Sequence, residues 1–508
     1  MSQQVAAHPV SDSERILISL ALSIATFMQA LDSSIANVAI PTICGDLGVS
    51  TTQGTWIITS FSVSLAISVP LTGWLSRRIG EVRLFVITVA LFTLASWGCG
   101  LSNNLPTLIF FRVLQGAMAG PMTPMAQTLL LSIYPPDKKG TALGLFSMTV
   151  LLAPIFGPLL GGWITDHVSW PWIFFINLPI GLLCAYSCWI RLRHRETKII
   201  KDPIDKMGLA LIVVGVGALQ VMFDQGRELD WFNSPQIILL AIVAAVALTA
   251  LIIWEWTAEH PIIDLRLFSD RNFTIGTIAM SLVFSLYMGI VVIQPLWLQT
   301  NMGYTASWAG LVMAPSGILA IFLMPMVGRY LHLINARAII TGSFWILALC
   351  CFLRARFTTD VSFGYLSVPQ WLQGVANAGL LVPLTALILS NISPQNIASA
   401  SGLTTFCRTL ATSLGTSLTT TLWDRRASVH HTALTEHISL YNSSFTTSAF
   451  KNLPNGYAVI EQMLNRQAYM ASIVDLFWLY GWLFLIAAPV VWFAKKPKAG
   501  GAPIVVVD

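Results

Sequence analysis

Residues 16–40 read ILISLALSIATFMQALDSSIANVAI, twenty-five positions with one charge, Asp32. About 20 mostly apolar residues are enough for a helix to cross the hydrocarbon core of a bilayer. The run is too long for a signal-peptide core and lacks a small-residue cleavage pattern. Thirteen comparable runs follow, near 53–74, 83–102, 105–132, 141–164, 170–190, 207–224, 236–256, 273–298, 306–328, 337–357, 368–391, 398–422 and 474–494. Composition agrees. Of 508 residues, 55% are apolar and only 10% are Asp, Glu, Lys or Arg, against roughly 25% charged in soluble domains. That is too little charge to cover a soluble surface, which excludes a soluble enzyme, a nucleic-acid binder and a disordered chain. Cys184, Cys188, Cys350 and Cys351 lie in apolar runs, where Cys behaves as a small hydrophobe, so no disulfide framework is expected.

The placement of Lys and Arg sets the orientation. With the N-terminus in the cytoplasm, nineteen of the 28 fall on the cytoplasmic side. Seven fall outside: Arg227, Arg354, Arg356, Arg425, Arg426, Lys451 and Arg466. Arg112 and Arg408 fall within spans. Both termini are therefore expected inside. Transporters are often built from related bundles, and the chain carries an internal echo. Leu114-Gln115-Gly116 recurs as Leu372-Gln373-Gly374, an offset of 258 that also maps Gly144 onto Gly402 and Gly157 onto Gly415. Pro70 and Gly73 map onto Pro325 and Gly328 at 255, and Pro41 onto Pro295 at 254. The expectation is an all-α integral membrane protein of fourteen spans in a six-plus-two-plus-six layout. Residues 1–190 form one bundle, 191–272 an inserted helix pair with linkers, and 273–508 a second bundle with an outer loop over 424–470.

The copies differ where charge sits: Arg112 maps onto Gln370, and Asp32 near Leu286. A carboxylate inside a membrane costs at least about 2.5–3.5 kcal/mol and is a functional candidate by default. Asp32 is expected either to take and release protons or to be held by a neighbouring helix. Arg112 cannot usefully give up its proton. It is a fixed charge that pairs with carbonyls, biases a carboxylate or snorkels to an interface. Arg408 is read in the same way, nearer a span end. The run APIFGPLLGGW carries Pro154, Gly157, Pro158, Gly161 and Gly162, a kinked, close-packing face suited to hinging or plain packing. The loop GWLSRRIGEVR carries Gly73, Arg77, Arg78, Gly80 and Arg83, which permit a tight turn and latch helix ends. Gln29, Asn37, Gln115, Gln373, Asn377 and Arg408 are pocket candidates. Asp224, at the outer end of the seventh run, is expected to be solvated. His430, His431, Glu436 and His437 fit no metal template, so no metal is expected. No phosphate-cradling Gly loop is followed by Lys, and no nucleophile elbow or zinc-protease signature is present. Neither ATP nor catalysis is expected.

These motifs carry a resemblance. LDSSIANVAIP, FFRVLQGAMAGP, APIFGPLLGGW, WPWIFFINLPIG (170–181) and PIIDLRLFSDRNFTIG (261–276) resemble the EmrB-type 14-helix drug:proton antiporters of the major facilitator superfamily. The resemblance implies that Asp32 is the proton-coupling carboxylate and Arg112 its buried partner motif, and that the fifth-helix run belongs to an exporter. It places Arg77 where the superfamily at large has an acid. It implies no cofactor, the proton gradient being the energy source. It also implies hydrophobic small-molecule substrates, a bacterial inner-membrane location and contact with membrane lipid. The partners it implies are a periplasmic EmrA-like membrane-fusion adaptor and, through it, a TolC-like outer-membrane channel. A general drug pump and an exporter of fatty acids or hydrophobic weak acids both fit. Arg112 and Arg408 suit an anionic head group, and Asp32 suits a cation.

Overall fold

The computed structural model describes residues 11–495 apart from 136–137, 201–202, 260, 332, 334 and 437–455. The described residues form long helices: α1 (Asp12–Leu47), α2 (Trp56–Ser68, continued by Thr72–Ile79), α3 (Glu81–Gly100), α4 (Leu105–Ile133), α5 (Lys139–His167) and α6 (Asn177–Leu192). There follow α7 (Lys206–Gln225), α8 (Pro235–Thr257), α9 (Arg271–Thr300), α10 (Ala306–Tyr330) and α11 (Ala336–Arg354). The last are α12 (Phe363–Leu389), α13 (Ile397–Glu436) and α14 (Gly456–Ala487). Side-chain caps begin several of them. Ser11 and Glu14 form a capping box on α1, and Asn104, Asp205, Asp270 and Ser362 accept from first-turn N–H groups. Pro70 lacks an N–H, and α2 tightens there into a short 3₁₀ turn before resuming.

Among the described residues, eleven helical segments are long and apolar enough to cross a membrane. Helices α4 and α13 meet across the middle of the molecule. α4 buries Arg112, Gln115, Thr123, Gln127 and Thr128, and α13 carries a run of Ser and Thr. Polar side chains turned inward lower a helix's mean hydropathy without exposing it to lipid. Helix α8 is the opposite case. Ile238, Leu239, Ile242, Val246, Ile252, Ile253 and Trp256 all stand exposed along it, an apolar surface that only lipid or another apolar body covers.

Packing repeats along the chain. α1 packs on α5 and α6, α2 on α4, and α3 on α4 and α6. In the same way α9 packs on α13 and α14, α10 on α12, and α11 on α12 and α14. The two sets meet through glycines at the end that carries both described termini. A Cβ on Gly140 would lie 2.2 Å from the Gly328 carbonyl oxygen, and one on Gly144 2.6 Å from that of Met324, so the backbones of α5 and α10 touch. A Cβ on Gly73 would lie 2.9 Å from Cα of Ser399, which joins α2 to α13. Helix α7 lies against both α2 and α13.

Two expectations are corrected here. The segment 424–470 is not one long loop. Helix α13 runs on to Glu436 and α14 resumes at Gly456, so only 437–455, including His437, lie outside the described residues. Apolar content falls after Trp423, but the helices continue, linked to each other by polar side-chain contacts. Arg426 pairs with Asp475, His430 Nε2 lies 2.8 Å from Asp475, and His431 Nε2 lies 3.0 Å from Glu461. Arg354 is not at an outer surface. It is fully buried at the end of α11, donates to Gln373, and lies over the Phe477 ring. Its Cβ points back toward the start of its helix, which carries the guanidinium inward.

Candidate functional site

Asp32 lies about four turns before the end of α1, among Leu31, Ile35 and Ala36, all buried. It is 1% exposed and Arg112 is 0% exposed. The two are in direct contact: Arg112 Nη1 donates to Asp32 Oδ2 at 2.6 Å. Asp32 Oδ1 accepts from Gln115 Nε2 and from Asn177 Nδ2, both at 2.9 Å. Arg112 Nη1 also donates to Gln115 Oε1 at 2.8 Å, and Nε to the Ile57 carbonyl at 3.0 Å. Asn177 Nδ2 donates to Ser96 Oγ, which donates to the Phe174 carbonyl, each at 2.9 Å. The guanidinium lies 4.3 Å from the Phe61 ring centre and 5.6 Å from that of Phe174. The carboxylate of α1 is thus tied to α2, α3, α4 and α6. Each carboxylate oxygen has a donor, and the opposite charge stands beside it. A buried charge is tolerable only when it is paired and hydrogen-bonded in this way. Of the alternatives open for Arg112, its geometry takes two together: a carbonyl and a carboxylate.

This centre does not face the space between the two sets of helices. A cavity of about 290 Å³ lies there, with Gln29, Ser33, Ser34, Thr123, Gln220, Phe284 and Arg408 on its wall. Asp32 is not on that wall, although its α1 neighbours Gln29 and Ser33 are. Arg408 is the one charged side chain on that wall among the described residues. It is not near a helix end, as the sequence suggested, because α13 is 40 residues long and Arg408 is its twelfth. It lies over the Phe284 ring at 5.0 Å. Of the other pocket candidates, Gln29 lines the cavity and accepts from Thr123 Oγ1 at 2.9 Å. Gln115 belongs to the Asp32 network, Gln373 takes the Arg354 guanidinium, and Asn377 donates to the Tyr287 hydroxyl at 3.1 Å. Asn37 is exposed, away from the cavity wall.

The fifth-helix run packs on α1 next to Asp32. A Cβ on Gly157 would lie 2.5 Å from Cβ of Ser34, and one on Gly161 3.0 Å from the Ile35 carbonyl oxygen. Gly162 has room, its nearest neighbour being Val38 at 4.0 Å. Gly157 and Gly161 hence set the α1–α5 distance, and Gly162 does not. Pro154 and Pro158 fall in the same helix, but their side chains lie outside the described residues. In the 73–83 motif, Gly80 alone makes the turn, with φ +97, while Gly73 is helical and gives the close approach to Ser399. Arg77 Nη1 donates to Ser399 Oγ at 3.2 Å, and Arg78 lies over Trp74 at 5.4 Å. Beside the motif's own Glu81, a second acid reaches in: Glu196 accepts from the Val82 and Arg83 N–H groups at 3.1 and 2.9 Å, and lies 3.9 Å from the Arg83 side chain. Asp224, expected in solvent, is half-buried, with Oδ2 enclosed. Among the described residues no group of His, Cys, Asp and Glu is arranged to hold a metal.

A family model described as Major Facilitator Superfamily matches residues 22–416. The chain is 50% identical over 498 residues to the multidrug export protein EmrB of Haemophilus influenzae, covering 96% of this chain and 97% of that protein. It is 46% identical over 499 residues to the fatty acid resistance protein FarB of Neisseria gonorrhoeae, covering 97% and 98%. The solved structure of the proton:xylose symporter XylE superposes with a TM-score of 0.60 over 96% of this chain and 97% of that one, at 15% identity, a likeness of fold alone. The chain belongs to the major facilitator superfamily of multi-pass membrane transporters, in its EmrB-type branch.

Proposed function

We propose that this member of the superfamily is a proton-driven exporter of hydrophobic compounds in a bacterial inner membrane, with fourteen spans and both termini in the cytoplasm. Two six-helix bundles, 1–190 and 273–508, alternate about the central cavity, with 191–272 between them. The matched pairings of α1–α6 and α9–α14 support this layout. In that orientation the glycine contacts of Gly73, Gly140 and Gly144 close the cytoplasmic side. The cavity is then the outward-facing stage of the cycle.

The observation that carries the reading is the enclosed Asp32–Arg112 pair backing directly onto the cavity wall. A proton on Asp32 cancels its charge and removes the main attraction holding α1 to α4. Gln29, Ser33 and Ser34 ride on α1, so a shift of that helix reshapes the wall, and Ser34 presses on Gly157 of α5. Protonation and substrate occupancy thereby compete through one helix. No cofactor enters the scheme. A proton moving down 100 mV gains about 2.3 kcal/mol, enough to accumulate a substrate roughly fiftyfold.

Arg408 favours anionic cargo. It is the charge that faces the cavity, whereas Asp32, which would attract a cation, is turned away and neutralised. Hydrophobic weak acids and fatty acids are the substrates this wall suits, and FarB's name points the same way. Arg408→Gln should weaken transport of a labelled fatty acid about tenfold or more, given about 1.5–3 kcal/mol for a hydrogen bond to a charged group. A neutral hydrophobic dye should be little affected. Equal loss of both would count against the cargo assignment.

The helical extensions beyond Trp423, pinned by the Arg426–Asp475 pair, form a raised docking face for a periplasmic EmrA-like adaptor, and through it for a TolC-like channel. A photo-cross-linker at Val429, which is exposed, should capture the adaptor in cells. Capture only from sites on lipid-facing α8 would refute this placement.

A further inference from the structure

The inserted helix α7 carries a carboxylate that the scheme above does not use. Asp224 lies one residue from its end. Gln220, one turn earlier, is 1% exposed and lines the cavity. Its Nε2 donates to Asp224 Oδ1 at 3.1 Å and to Ser413 Oγ of α13 at 2.7 Å. Thr59 of α2 stands beside the carboxylate, and Gly217 of α7 faces Val63 and Ile67 of α2. Asp224 therefore sits at a seam where α2, α7 and α13 meet along the cavity.

The seam is built. Down α13, Ser413 takes Gln220, Ser417 Oγ donates to the Phe223 carbonyl at 2.5 Å, Thr421 takes Trp231 Nε1 at 2.8 Å, and Asp424 pairs with Arg227 at 2.6 Å. Trp231 reaches its place through a turn in which Asp230 and Trp231 both have left-handed backbone, φ 53 and 51. Such conformations cost about 1–3 kcal/mol each and persist where surrounding contacts hold them. The helix pair is fastened to α13 at a cost.

Within this seam two buried oxygens lack a donor, Asp224 Oδ2 and Gln220 Oε1. Both belong to one hydrogen-bonded pair of side chains. Among the described residues no cation pairs with Asp224. Arg227, a turn further on, is engaged by Asp424; α2 brings the Thr59 hydroxyl to Asp224, and α13 brings the Ser413 hydroxyl to Gln220. The pair is one hydrogen short. A proton on Asp224 supplies it, turning a carboxylate with an unserved oxygen into a carboxylic acid that donates.

We propose that Asp224 is a second proton-binding carboxylate of the transport cycle, and that through Gln220 and Ser413 its protonation couples the inserted helix pair to the cavity wall. The step is simple proton binding: water on the outer side supplies the proton and the inward-facing stage releases it. The inference rests on the reading of the chain as a proton-driven exporter.

The test is the proton-to-substrate ratio in proteoliposomes, from the membrane potential and pH difference at which net flux of a labelled fatty acid reverses. Wild type should exchange two protons per substrate. Asp224→Asn, which keeps the shape, should still be driven by the gradient but with one proton fewer. Its limiting accumulation at 100 mV should fall about fiftyfold, the equivalent of about 2.3 kcal/mol. Asp224→Glu should restore the wild-type ratio. An unchanged ratio in Asp224→Asn would overturn the assignment, and if that variant does not fold, a wild-type ratio of one would do so. Wild-type protein that shows no gradient-driven flux would instead refute the exporter reading on which the inference stands.

Discussion

Asp32→Asn should sharply lower gradient-driven accumulation while leaving substrate exchange across the membrane at near wild-type rate. Asparagine fills the same space and keeps one oxygen, which can accept from Gln115 and Asn177 on one side or from Arg112 on the other. It carries no charge and takes no proton, so α1 loses the event that switches it. Because Asp32 does not line the cavity, the variant should bind cargo with little change. In proteoliposomes the limiting ratio of labelled substrate across the membrane should fall about fiftyfold at 100 mV, the loss of one driven proton. Accumulation undiminished from wild type would make Asp32 a structural acid.

The second large effect belongs to Arg112. Arg112→Leu leaves Asp32 enclosed with only two amide donors, and removing one member of a buried pair costs about 3–5 kcal/mol. The Ile57 carbonyl and Gln115 Oε1 each lose a charged donor as well, which adds to the loss. The purified variant should unfold at markedly lower temperature than wild type. The double variant Asp32→Asn with Arg112→Leu should regain much of that stability, because no unpaired charge remains, while staying uncoupled. A double-mutant cycle on the unfolding transition measures the interaction directly. Additive losses would mean that the two residues are energetically independent despite their 2.6 Å contact.

Much of this was legible in the chain because lipid imposes strong rules. A run such as 16–40 admits few alternatives to a helix, and a charge within it stands out. Asp32 and Arg112 were visible one by one. Their contact was not, since 80 positions separate them and only the fold brings α1 and α4 together. Asn177 and Ser96, which complete the network, look like ordinary polar residues of a membrane helix. Arg354 was misplaced because it ends an apolar run, where arginines usually reach for water. Its counterpart at the repeat offset of 258 is Ser96, a buried network residue, and that correspondence was the available signal. The helices beyond Trp423 were read as loop because hydropathy reports the bilayer and not the backbone. Gly73 was taken for a turn residue, but its use is close approach to Ser399, which depends on a helix over 300 positions away.

The most direct measurement is proton release on substrate binding. Purified protein in lightly buffered detergent solution would be mixed with a saturating hydrophobic substrate held at fixed ionisation, with a pH indicator following the solution. The account predicts that wild type releases protons and that Asp32→Asn, still binding the same substrate, releases one fewer. Equal release from both proteins would contradict the claim that Asp32 is the group whose proton is exchanged for cargo.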